Sequence, residues 1–152
     1  MWALDIIEEA GFTYDSSIFP IRHDRYGDKD APRFPYRITA KNGGGLIEFP
    51  LSTWNCFGVR VPVAGGGYFR LFPYVITRMG LSSINRKEAK PFVFYLHPWE
   101  LDVEQPRVSA SYLSRFRHYV NLSRVEERLR RLLNDFRFTA LRRVLANMGF
   151  GD

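Results

Sequence analysis

Cysteine is almost missing from these 152 residues. Cys56 stands alone, which excludes an internal disulfide and with it the small stapled folds of secreted domains. No uninterrupted apolar stretch approaches the roughly 20 residues that cross a bilayer. The first residues lack a basic segment followed by an apolar run and a cleavage site. A soluble, cytoplasmic chain with no membrane span is the expectation. Nucleotide-loop signatures are missing too: "AGGGY" at 64–68 is followed by no G-K-[ST] and opens no G-x-G-x-x-G turn. Histidine is scarce, and the spacing of His23, His97 and His118 matches no metal motif; H-x-x-x-H does not occur. There is no internal repeat and no low-complexity segment.

What is present is apolar and basic. Hydrophobic residues make up 45% and aromatic ones 16%, enough for the core of one ordinary domain. The formal charge is +6, and 18 of the 22 basic residues are arginine, nine of them between Arg115 and Arg143. Such a run reads either as a polyanion surface or as the wet side of a packed helix. "SRVEERLRRLLNDF" favours the second reading. Val125, Leu129, Leu132, Leu133 and Phe136 share one face, Arg124, Arg128 and Arg131 lie opposite, and Ser123 with Glu126 has capping-box spacing. No nucleic-acid partner is therefore expected.

Along the chain, "WALDIIEEAG" predicts a short helix ending at Gly11, and "FTYDSS" a short strand. Residues 18–45, rich in proline, glycine and charge, predict a long ordered loop with a turn at "NGGG". "LIEFPLST" and "VRVPV" predict two strands, which Pro50 and Pro62 place at an edge or a bulge. "AGGGYFRLFPY" supplies backbone freedom beside aromatic side chains. A helix from Pro73 to about Arg86 follows. "FVFYLH", apolar on both faces, predicts a buried parallel strand. Helices over "SYLSRFRHYV", "SRVEERLRRLLNDF" and "TALRRVLANMG" close the chain, the last with Thr139 as N-cap and Gly149 past its end. Strands alternating with helices predict an α/β fold.

In α/β folds, reactive side chains gather at strand ends. Asp15 and His97 both stand at such ends. His97 is delivered by an apolar run and followed by Pro98, which fixes the chain's exit, and Trp99. Imidazole is the side chain best matched to proton transfer near neutral pH. The bland alternatives are a rim histidine and a turn aspartate. If the two are neighbours, the Asp15 carboxylate orients the ring. Cys56 reads as a small core or loop residue.

"GFTYDSSIFPIRHDRYG", "EFPLSTW", "PVAGGGYFRLFPY", "FYLHPWELDVEQPR" and "SRFRHYVNL", taken in this order, resemble the C-terminal half of the polysaccharide deacetylases. These are the NodB-homology enzymes of carbohydrate esterase family 4, and the likeness is to the exopolysaccharide-locus branch with a C-terminal extension of its own. The resemblance implies part of a distorted (β/α) barrel over residues 1–107, including the loop 18–45, with a helical extension over 108–152. It implies metal-dependent hydrolysis of N-acetyl groups on an exopolysaccharide, with zinc the usual ion. His97 matches the family's late histidine, the general acid to the leaving amine, and Asp15 matches the preceding aspartate motif. Trp99, Tyr68 and Phe69 are the expected sugar contacts, their flat faces suited to a pyranose ring.

The first three family motifs are missing. There is no Asp-Asp pair and no H-x-x-x-H, and Arg33-Phe34-Pro35-Tyr36 carries the letters of the arginine motif in the wrong order. The metal ligands are thus expected outside these residues. The chain reads as the latter half of such an enzyme, inactive alone, its missing N-terminal half a partner beside the N-acetylated polysaccharide. The alternatives are a non-catalytic carbohydrate-binding or partner module and, weakest, a nucleic-acid binder.

Overall fold

The first helix, α1, runs Trp2–Glu9 and stops where expected, at Gly11 with φ +86°, a left-handed geometry that suits glycine. It opens a computed structural model that describes residues 2–22, 27–39 and 45–151. His23 and Asn42, Gly43 and Gly44 of the expected turn lie outside them. The chain divides into two units, Met1–Thr53 with Thr139–Asp152, and Trp54–Phe138.

The first unit is built on a three-stranded sheet in the order β1-β3-β2. These strands are β1 (Tyr14–Asp15), β2 (Tyr36–Thr39) and β3 (Gly45–Glu48). β1 pairs in parallel with β3, setting Asp15 beside Glu48, and β2 pairs antiparallel with β3, setting Tyr36 beside Glu48. The long loop expected over 18–45 is therefore interrupted by a strand. Tyr36-Arg37-Ile38-Thr39 is rich in strand-forming residues, but it is short and follows Pro35, and its stability comes from pairing with β3. β3 is the central strand, not an edge, because Pro50 falls after its last residue. Leu46, Ile47 and Phe49 are buried, as are Phe19, Ile21 and Ala31 from the described part of the loop. Gly27, at φ +100°, lies so near the Ile21 carbonyl that no Cβ would fit. Near the C-terminus, α6 (Leu141–Leu145) runs into a π-type turn, Ala146–Phe150. Its N-cap is Ala140, not Thr139.

The second unit opens with a hairpin of β4 (Thr53–Cys56) and β5 (Val59–Pro62). The two-residue turn places both Phe57 (φ 49°) and Gly58 (φ 84°) in left-handed geometry, as a tight hairpin turn requires. The Gly58 N–H donates to Asn55 Oδ1 at 3.0 Å. Cys56 is a half-buried strand residue and unbridged. After it come α2 (Gly66–Leu71), α3 (Tyr74–Ser82, capped by Pro73 and continued by a π-type turn over Ser83–Lys87), α4 (Tyr112–Tyr119) and α5 (Val125–Asp135). Val63, Phe69, Leu81, Ile84, Val125, Leu132 and Phe136 form the core.

Three expectations change here. "FVFYLH" is extended but forms only one parallel bridge, Tyr95 to Gly65, because its partner segment turns into α2 at once. Its aromatics pack edge-on instead: Phe94 on Phe69 at 4.9 Å, Phe92 on Phe136 at 5.1 Å. The Ser123–Glu126 capping box does not form. A 3₁₀ turn over Leu122–Arg124 leads into α5 with no side-chain cap, and Glu126 instead accepts from Arg130 Nη2 at 2.8 Å. On α5, Leu133 is exposed whereas Arg128 is buried. Its Nη1 donates to the carbonyls of Phe69 (2.5 Å), Arg70 (3.2 Å) and Phe72 (3.1 Å), filling acceptors that the end of α2 leaves open. The architecture is thus a mix of helices and small sheets, consistent with an α/β protein; among the described residues the strands close no barrel.

Candidate functional site

Around His97 the chain is held at close range from both sides. The Tyr95 N–H donates to the Ala64 carbonyl (3.0 Å) and the Gly66 N–H to the Tyr95 carbonyl (3.1 Å). Gly65 permits this approach, since a Cβ there would overlap the Tyr95 ring. The glycine run therefore serves close packing; its Gly65 has an ordinary φ of −124°, so the backbone freedom expected of it is not used there. Two residues on, His97 caps the 3₁₀ turn Pro98–Leu101, whose φ-restricted Pro98 fits the first helical position.

That turn brings Glu100 under the histidine. Glu100 is 1% exposed. Its Oε2 accepts from the His97 N–H at 2.9 Å and stands 3.5 Å from His97 Nδ1. Its Oε1 accepts from Arg70 Nε at 3.0 Å, in an ion pair buried on both sides. Gly66 makes room, because a Cβ on it would fall on the Glu100 carboxylate. Arg70 also donates through Nη1 to the carbonyls of Arg117 (3.0 Å) and His118 at the end of α4. The Arg70 carbonyl accepts from Asn121 Nδ2 at 2.8 Å. One guanidinium thus ties α2, the histidine turn and α4 together. The His97 side chain itself is 60% exposed. With Nδ1 turned toward a buried carboxylate, Nε2 is the nitrogen left to meet a ligand.

The aromatic rings make a ladder. Tyr95 meets His97 edge-on at 6.0 Å, and His97 lies over Trp99 at 6.1 Å and 24°. Trp99 stacks on His118 at 4.2 Å and 7°, and His118 meets Tyr119 at 4.5 Å. The Arg70 guanidinium lies 4.9 Å from the Trp99 centroid, within cation–π range. Gln105 braces the stack: its Nε2 donates to the Trp99 and Asp102 carbonyls, both at 2.8 Å, and its Oε1 meets His118 Nε2 at 2.9 Å. Trp99 is half-buried, stacked on His118 with the Arg70 guanidinium and the His97 ring nearby. Tyr68, on α2, is half-buried against Phe72. Phe69 is fully buried between Phe94 and Tyr74; it is a core residue, and its burial leaves no face for a sugar.

Asp15 belongs to the other unit, where its Oδ2 accepts from Ser17 Oγ at 2.5 Å. Beside it, across the parallel strand pair, Glu48 is fully buried. Glu48 Oε1 accepts from the Ile18 N–H at 2.9 Å, and among the described residues no hydrogen bond fills Oε2. Burial, aided by the neighbouring Asp15 charge, pushes the Glu48 carboxyl up to about 7.

Sequence reasoning singled out His97 but not the residues packed around it, Glu100, Arg70, His118 and Gln105. A signal for Glu100 existed: His97-Pro98-Trp99-Glu100 has the spacing by which an N3 glutamate reaches back to its N-cap N–H. Nothing local pointed to Arg70, thirty residues away. Among the described residues, no three histidine, cysteine, aspartate or glutamate side chains gather to hold a metal ion, and no helix is long and apolar enough to cross a membrane.

Compared with known proteins, residues 16–146 match a family model described as a domain of unknown function (DUF3473). No curated protein matches, and no solved structure does.

Proposed function

Because the chain belongs to the DUF3473 family, whose description carries no activity, we propose its function from the site: it is the C-terminal part of a metal-dependent polysaccharide deacetylase, with His97 as the general acid. The reading is supported above all by one observation, the solvent-facing His97 ring with Nδ1 beside a buried glutamate that a buried arginine holds in turn. An imidazole so oriented can pass a proton from Nε2 to an amine leaving group. Glu100 and Arg70 are positioning residues: they fix the ring but do not reach the substrate. Tyr68 and Trp99 are the candidate sugar contacts, and Asp15 remains the match to the family's aspartate motif.

A divalent metal, zinc in the usual case, would supply carbonyl polarisation and an activated water in such an enzyme. The described side chains do not fit one, so the proposal places its ligands outside this segment and derives no step from it. The polymer substrate, the exopolysaccharide setting and the cytoplasmic location expected of the chain as written belong to the proposal.

The test is acetate release from an N-acetylhexosamine oligomer by the longer protein that carries this segment. His97→Ala should lower kcat by about 10²–10⁴-fold, and Glu100→Gln should lower kcat more than it raises KM. The 152-residue chain alone should release no acetate; turnover with stoichiometric metal from it would overturn the proposal. Glycan binding without hydrolysis by the longer protein would favour a carbohydrate-binding module instead.

A further inference from the structure

At the start of α5, a hollow of about 280 Å³ is lined by Pro73, Tyr74, Arg124, Glu127, Arg128 and Arg131. Three of these six are arginines spaced four and three apart, so they stack on one helix face. Arg124 and Arg131 are exposed and Arg128 is buried. Like charges so close repel, and the Arg128 guanidinium is pushed down from its ordinary range first by burial and then by Arg124.

The protein answers little of this charge. Among the described residues Arg128 meets the carbonyls of Phe69, Arg70 and Phe72, all through Nη1. Among the described residues no carboxylate forms an ion pair with Arg124 or Arg128. Glu127 reaches Arg131 at 3.7 Å, a loose and exposed contact. Asp135, a full turn or more further along α5, is already committed: it accepts from the Tyr74 hydroxyl at 2.7 Å and from Arg78 Nε at 3.0 Å. A largely buried cation that lines a hollow with two more has, among the described residues, no carboxylate in an ion pair with it, and Glu127 offsets its charge only at longer range.

We propose that this hollow binds an oxyanion, the phosphate or carboxylate group of a soluble ligand, through Arg124, Arg128 and Arg131. Arginine's planar fork offers paired N–H donors to such a group. The arrangement turns an unfavourable cluster into a cradle, with Glu127 as the competing acid that the ligand displaces. It owes nothing to the deacetylase reading, and the two fail separately.

The test is a low-salt titration of the chain with inorganic phosphate and, separately, with glucuronate, followed through the backbone amide resonances. Saturable shifts centred on residues 124–131 are expected from at least one anion. Phosphate alone points to a phosphorylated ligand, glucuronate alone to a uronic acid. Substituting the two exposed arginines together, Arg124→Gln with Arg131→Gln, should weaken binding by about tenfold or more while leaving the thermal transition in place. Should that pair fold poorly, Arg124→Gln alone gives the same direction. Glu127→Gln should tighten binding a few-fold, which loss of structure would not do. The proposal is overturned if neither anion saturates, if shifts scatter over all the arginines, or if the substitutions leave affinity unchanged.

Discussion

Glu48 and Glu100 are both shut away from water, at 0% and 1% exposure, one in each unit, and their surroundings differ in kind. Glu100 meets the Arg70 guanidinium at 3.0 Å and the His97 N–H at 2.9 Å. Glu48 accepts the Ile18 N–H and lies beside another carboxylate; among the described residues no hydrogen bond fills its Oε2 and no cation pairs with it. One unit answers a buried acid with an ion pair, whereas in the other the carboxyl holds its proton to about pH 7. Burying a charge without a partner is so costly that proton uptake is the cheaper outcome. The ion pair also has a neighbour that Glu48 lacks, an exposed histidine ring whose Nδ1 stands 3.5 Å from the carboxylate.

The largest effect expected from this contrast is on Arg70. Arg70→Met leaves Glu100 buried without its cation and should lower the unfolding free energy by about 3–5 kcal/mol, measured by urea denaturation. Adding Glu100→Met should recover most of that loss. If the double substitution is no better than the single one, the ion pair is not what makes Glu100 tolerable.

Next in size is the pH dependence carried by Glu48. Its carboxyl rises from an ordinary 4.5 to about 7 on folding. Below the lower value both states are protonated and the group costs nothing. Between the two values the unfolded chain releases the proton and the folded one keeps it, so stability falls as pH rises. The fall should total about 3 kcal/mol and be complete above pH 7. Glu48→Gln keeps an acceptor for the Ile18 N–H and should flatten this slope, making the variant more stable than the parent at pH 8 and nearly equal at pH 4. A Gln variant with the parent's slope would assign the titration elsewhere.

The smallest effects belong to carboxylates in water. Glu126 lies in an exposed pair with Arg130 at 2.8 Å, and such pairs contribute little. Glu126→Gln should leave the melting temperature within error. Ser123→Ala should do the same, because α5 starts without a side-chain cap. A loss of several degrees from Ser123→Ala would restore the capping box that the structure lacks.

How much was legible follows the range of the interactions. α1, α3, α4 and α5 could be read from periodicity and from residues such as Gly11 and Pro73; the cap of α4, where the Ser111 hydroxyl accepts from the Ser114 N–H, came only with the structure. β2 was not legible, since its four residues become a strand only by pairing with β3. β4 was not legible either: the stretch between the two expected strands reads as an aromatic loop, and Thr53–Cys56 becomes a strand only by pairing with β5 across the Phe57–Gly58 turn. Arg128 looked wet because the helix period places it with Arg124 and Arg131; the carbonyls that draw it inward belong to a segment more than fifty residues earlier.

Composition and local pattern by themselves determined α1, α3, α4 and α5, the single-cysteine chemistry and the delivery of His97 to the end of an apolar run. These depend on neighbours a few residues apart, where the backbone's own periodicities apply. Tertiary structure alone decided that Glu100 and Arg70 stand behind that histidine, that Trp99 stacks on His118, and that Glu48 is buried with no cation partner among the described residues. Each of these is set by which distant groups share a desolvated space, and the strength of a charge or a hydrogen bond depends on that space more than on the residue that carries it.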